Sequence, residues 1–195
     1  MAIMTSRQAS ELDFAFERNG WTSDDVKKVS GGNTLAQFLL VVRGRAQVIV
    51  NSILTLLRTW RVAAQPAVTT SKEYFAEAGV VLTGSNFENQ FYGLEVSATE
   101  ETELAVRKLE EDSLDAPIMA ELGDKVEVSV SQFRAFLAAH RESTEWFIFY
   151  LRGKDGLLWA VYAGWDSGLG GWSVSARGVS SPRGWSAGYR VVSRN

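Results

Sequence analysis

The chain has 195 residues, 46% of them hydrophobic, with a formal net charge of −3, no cysteine and a single histidine. That is enough for one sizeable core or two small ones, and it excludes disulfides, thiolate chemistry and most zinc sites. No apolar run reaches membrane-spanning length, and residues 1–20 carry charges throughout instead of an apolar signal core, so the expected setting is the reducing cytoplasm.

In chain order, Ser6 to Asn19 reads as a helix, with Ala9, Leu12 and Phe16 at helical spacing and Gly20 suited to its left-handed cap. Thr22 caps a short second helix, Ser23 to Ser30, which carries Asp24 and Asp25 in its first turn. Asn33 or Thr34 caps a third, with Leu35, Phe38, Leu39 and Val42 on one face and Gly44 at its end. Arg45 to Val50 is expected to be a strand, and Asn51 to Val62 is ambiguous, with strand character at both ends. A short helix capped by Thr70 or Ser71 should end at Gly79. Val80 to Thr83 and Phe91 to Val96 look extended around a polar loop, Gly84 to Gln90, and Glu100 to Glu111 reads as an amphipathic helix with Leu104 and Leu109 inward.

Asp115 to Leu122 reads as a short helix, and Ser129 or Ser131 caps another through Arg141. The last fifty residues hold five of the seven tryptophans and alternate apolar runs with glycine-rich turns, the pattern of a β-meander. Its strands are Glu145 to Arg152, Leu157 to Trp165, Trp172 to Val179 and Tyr189 to Arg194. The first two are apolar on both sides and should be central. The last two should lie nearer an edge, with Ser173, Ser175 and Arg177 on a wet face. The fold class is therefore α+β: N-terminal short helices (1–45), a mixed middle (46–125), and a C-terminal antiparallel aromatic meander packed by a helix (126–195).

The chemistry-bearing residues are sparse. His140 is the sole histidine and falls at a helix C-terminus, where capping explains it. There is no GxSxG elbow and no phosphate-cradling GxxxxGK[ST] loop, and no catalytic, metal or cofactor site is assigned. Charge is segregated: residues 1–61 carry eight basic and five acidic side chains, 62–144 six and fifteen, 145–195 six and three. The basic N-terminal helices allow a DNA-reading alternative through Gln37, Arg43 and Arg45, but Leu40 and Val41 stand where base-reading polar groups belong, so nucleic acid is disfavoured as a partner. In the C-terminal sheet, cations interleave with aromatics, and Arg152, Lys154, Trp165, Arg177, Arg183 and Trp185 are the candidate binding residues. The tryptophans fall mainly on inward positions, which favours core over ligand platform, with Trp159 expected in the core.

Residues 17–45 (ERNGWTSDDVKKVSGGNTLAQFLLVVRGR) resemble an N-terminal module of uncharacterised small proteins from uncultivated bacteria. Residues 126–194, with FIFYLRGKDGLLWAVYAGWD, GGWSV and GWSAGYRVVSR, are similar to a C-terminal module of the same group. The resemblance implies a modular organisation and carries over no activity or catalytic residue. The expected function is a non-enzymatic binding or interaction protein, with another protein or a second copy as partner through the aromatic sheet. A nucleic-acid-associated regulator and a hydrolase of unfamiliar type are the alternatives.

Overall fold

The computed structural model describes residues 4–46 and 52–195. The chain divides into two units between Asn51 and Ser52. Most of the expected strand at Arg45 to Val50 lies outside the described residues; Arg45 and Ala46 form a bend.

Three short helices with local stop signals make up the first unit. Helix α1 (Ser6–Arg18) opens on a capping box, the Gln8 amide N–H donating to Thr5 Oγ1 (3.3 Å) and the Thr5 amide N–H to Gln8 Oε1 (2.9 Å). It closes in a Schellman turn. Gly20 takes φ +73°, its N–H donates to Glu17 O (3.0 Å), the Trp21 N–H donates to Phe16 O (3.0 Å), and the two rings meet at 4.8 Å. Helix α2 (Ser23–Ser30) has its own capping box, Thr22 with Asp25, and the Thr22 hydroxyl bond holds the Asp25 carboxyl below the ordinary range. Helix α3 (Thr34–Val42) ends at Gly44, φ +67°, in the same kind of turn as α1. No side chain of these three helices is buried.

The second unit is built on one seven-stranded sheet. Its elements in chain order are β1 (Leu54–Val62), β2 (Val68–Thr69), α4 (Lys72–Ala76), β3 (Val80–Thr83), α5 (Ser85–Phe91), β4 (Glu95–Val96), β5 (Thr102–Leu109), α6 (Asp115–Leu122), α7 (Val130–Ala139), β6 (Trp146–Arg152), β7 (Leu158–Asp166), β8 (Gly171–Gly178) and β9 (Arg190–Arg194). The sheet order is β1-β5-β9-β6-β7-β8-β3, antiparallel except at the β9–β6 and β8–β3 pairs, while β2 and β4 form a separate ribbon. The fold class is α+β, as the sequence implies, and strands from before and after residue 125 share this one sheet.

Both faces are covered. On one, α4, α5 and α7 pack Phe75, Phe87, Phe91, Phe133 and Phe136 against Phe147, Phe149, Val161 and Trp172. On the other, α6 and the loop before β9 pack Ile118, Leu122 and Trp185 against Ile148, Tyr150, Ala160 and Val191. Helix α7 starts as expected at Ser129, whose hydroxyl accepts from Gln132 N (3.1 Å).

Five expectations are corrected. Residues 100–111 are not an amphipathic helix; they contain β5, in which Leu104, Ala105 and Val106 are all fully buried. The helix preference of Glu, Leu, Ala, Arg and Lys amounts to tenths of a kcal/mol per residue, and pairing with β1 and β9 on either side overrides it. The polar stretch 84–90 is not a loop but most of α5, since Phe87 and Phe91 at i, i+4 both enter the core. For the same reason only Glu95 and Val96 of the expected strand 91–96 are extended. Strand β9 is not near an edge; it lies mid-sheet between β5 and β6. Nor is the second side of β8 simply wet, because α6 and the 179–189 segment cover much of it and Arg177 is largely buried there.

Trp172 is the largest fully buried side chain, with its indole N–H donating to Leu137 O (2.9 Å). Trp159 is half-buried against the same core, its indole N–H shared by the Asp155 carboxylate oxygens (3.1 and 3.2 Å). Trp172→Ala is therefore expected to cost about 3–5 kcal/mol in a urea denaturation series. Trp159→Ala should cost less, and Ser173→Ala, half-exposed on the opposite face, under about 0.5 kcal/mol.

Candidate functional site

The most concentrated polar chemistry in the second unit surrounds Asp115, the first residue of α6 and fully buried. A carboxylate is favoured at a helix N-terminus, and here it also receives two side-chain donors. Its Oδ1 accepts from Trp185 Nε1 (2.7 Å) and from the Tyr150 hydroxyl (2.9 Å). Arg177 Nη2 stands 3.5 Å from Oδ2, and its guanidinium lies over the Trp185 ring, 3.6 Å from the centroid. Burial, reinforced by the Asp115 charge, pushes the Tyr150 phenol far above its ordinary range. The cluster draws on α6, β6, β8 and the loop before β9, so it ties the second face together. Asp115 and Tyr150 in it are fully buried and Arg177 and Trp185 largely so.

Removing the carboxylate would leave a largely buried guanidinium and two buried donors without their acceptor. Asp115→Ala is expected to destabilise the unit by about 3–5 kcal/mol, and Tyr150→Phe, which removes one hydrogen bond, by about 1 kcal/mol. Chemical denaturation of the two variants tests this ordering.

On the helical face, His140 is the C-cap of α7. Its ring stacks on Phe136 (centroids 3.9 Å apart), meets Trp60 edge-on at 5.1 Å, and shares a hydrogen bond between Nδ1 and Phe136 O (2.9 Å). Burial lowers its pKa; the Phe136 carbonyl and Glu145 pull it up, and Arg58 pushes it down. Nearby, Glu145 bridges Arg58 and Arg190, each at 2.6 Å. Burial pushes the Glu145 carboxyl up, but the hydrogen bonds from the two arginines more than offset it, leaving it below its ordinary range. His140 is thus a half-buried ring packed between Phe136 and Trp60.

Because the folded chain holds the His140 proton more weakly than the unfolded chain does, the unfolded state binds more protons in the window just below the ordinary imidazole value of about 6.5. Stability should fall as pH drops through that window. The urea midpoint is expected to decrease from pH 7.5 to 5.5 (about 2 units, spanning the transition), and His140→Phe should flatten that slope.

The six residues singled out from the sequence do not form one site. Arg177 and Trp185 meet at Asp115. Arg152 pairs with Glu127 and donates to Gly156 O (2.7 Å), between two open cavities of about 530 and 300 Å³ that share Glu127, Ser129 and Arg152. Lys154 is exposed in the turn before β7, and its amide N–H donates to Gln90 O (3.2 Å). Trp165 faces the helical layer, edge-on to Trp172 at 5.4 Å. Arg183 is exposed in the loop before β9. In the first unit Gln37 is exposed on α3, and Arg43 and Arg45 follow it.

Sequence reasoning missed a third arrangement, on the sheet face that carries Tyr150. Trp146 pairs directly with Gly164, which pairs with Ser173. The Trp146 indole covers Gly164 so closely that a Cβ there would lie 2.6 Å from its ring atoms. Tyr189 lies 6.3 Å from Trp146, Trp185 5.7 Å from Tyr189, and Tyr162 5.3 Å from Trp185. The available signal was the glycine interrupting an otherwise bulky strand, LLWAVYAGW.

Among the described residues no group of three or more His, Asp or Glu side chains is placed to hold a metal, and no helix is long and apolar enough to cross a membrane. No protein family matches this chain, and neither the curated proteins nor the solved structures show a significant relative.

Proposed function

We propose that this chain is a cytoplasmic, non-enzymatic interaction protein in which the second unit is a rigid body and the first unit docks on another protein chain. The carrying observation is the packing contrast between the two. Helices α1–α3 bury no side chain, yet leave Phe14, Leu35, Phe38, Leu39, Leu40 and Val42 between 43% and 78% exposed. Such a short segment cannot cover this apolar area by itself, and each Leu, Val or Phe buried against a partner contributes about 1.5–3 kcal/mol. Exposed apolar patches of this kind mark interaction surfaces.

The composition of α3 weighs against base reading. Between Gly31 and Val42 no residue is charged, and only Asn33, Thr34 and Gln37 offer hydrogen bonds. Cytoplasmic placement rests on composition, since a cysteine-free chain needs no oxidising compartment.

In a purified sample the available protein surface is a second copy. Sedimentation of the full chain from micromolar to near-millimolar concentration should show reversible self-association that Phe38→Glu or Leu39→Glu suppresses. A strictly monomeric chain that also fails to bind a hydrophobic dye through these residues would overturn the reading.

A further inference from the structure

We infer that the cross-strand row Tyr189–Trp146–Gly164–Ser173 is a stacking platform for a neutral sugar ring. It lies wholly within the second unit, so its failure would leave the reading of α1–α3 standing.

On this face Gly164 stands between Tyr162 and Asp166, and glycine in a strand interior forfeits both packing and chain stiffness. What the glycine gains is a flat seat. With no Cβ to lift it, the Trp146 indole lies down on the β7 backbone. Covering the backbone of a strand glycine is a known structural use of a cross-strand aromatic, and it accounts for the ring's inner face. The outer face remains open: Trp146 is 44% exposed, the most exposed aromatic of residues 52–195, whose other tryptophans are buried or half-buried.

Its surroundings define what could lie on it. Tyr189, half-exposed, stands beside the indole at 46° to it, forming a shallow angled wall. On the opposite side Ser173, also half-exposed, presents a hydroxyl that hydrogen-bonds no described residue. The nearby charges are already committed. Arg190 is bound to Glu145 and to Gly188 O, Arg177 is largely buried over the Trp185 ring and faces Asp115 at 3.5 Å, and Asp166 Oδ1 accepts from the amides of Gly168 and Leu169.

An exposed flat ring with no free cation beside it is poorly matched to a nucleotide, whose phosphates call for Lys or Arg. It suits an uncharged ring with a C–H-rich face and peripheral hydroxyls. The polarised C–H groups of a pyranose meet the electron-rich indole face, and the sugar hydroxyls reach Ser173.

The test uses the full chain with neutral cello-, chito- and malto-oligosaccharides as probes, followed by intrinsic fluorescence and by the indole N–H resonances, with Trp146→Phe used to assign that of Trp146. At least one of these sugars should bind saturably, without salt dependence, and shift the Trp146 indole N–H. Trp146→Ala should weaken that binding at least about tenfold, the effect of losing one stacked ring, while circular dichroism and the melting midpoint stay close to wild type. Trp146→Phe should retain part of the affinity. If Trp146→Ala fails to fold, the wild-type indole shift and the Trp146→Phe affinity decide the question. Absence of binding by all three sugar classes, binding that leaves the Trp146 indole unmoved, or salt-sensitive binding of an oligonucleotide at Trp146 in place of sugar would each overturn the inference.

Discussion

The second unit depends on where β9 inserts. Its five residues pair antiparallel with β5 on one side, and Arg190, Val191 and Val192 pair parallel with β6 on the other. Without it the sheet would be two pieces, the β1–β5 pair and the β6-β7-β8-β3 set. Because β9 joins them, Val192 can enter the helical core while Val191 enters the opposite one. Strands buried on both faces need cover on both sides, and this constraint fixes the placement of α6 and of the loop that delivers β9 to the sheet.

That second cover is held by polar as well as apolar groups. Asp115 receives the Trp185 and Tyr150 donors and faces Arg177, so elements far apart in sequence converge on one carboxylate. A buried charge is tolerated when partners surround it. The pairing places Arg177 and Trp185, two of the candidate binding residues, largely in the interior. On the same sheet face Trp146 stays 44% exposed, outside this buried cluster.

The two units differ in how completely they satisfy themselves. Residues 52–195 bury two aromatic and aliphatic cores and engage most of their buried polar atoms. Helices α1–α3 spend their sequence on local order, with two capping boxes and two glycine turns, and bury nothing. Capping decides where a short helix begins and ends, but most helical stability in proteins comes from packing of an apolar face. A segment so well delimited and so little packed is suited to completing its core against another surface, which is the physical content of the interaction reading.

By itself the sequence determined the features whose physics is local. Thr22 marks a helix start, and the pairs Thr70/Ser71 and Ser129/Ser131 mark two more to within two residues, because a side-chain oxygen can reach an amide three residues on. Gly20, Gly44 and Gly156 mark turns because each backbone takes a positive φ there. The apolar runs at 145–152 and 157–165 announced strands buried on both sides. Only the tertiary structure decided the rest. The residues Thr102–Leu109 have helical preferences and became a strand because β1 and β9 offer hydrogen bonds on both edges. Strand β9 looks like an edge strand until β5, eighty residues earlier in the chain, supplies its second neighbour (roughly the separation read from their registers). Asp115 reads as an ordinary helix-start carboxylate, and Trp146 as one more core tryptophan. Their roles depend on Arg177, Trp185 and Gly164, brought close by strand register, and pairing at such distance is set by the whole sheet rather than by any short stretch of residues.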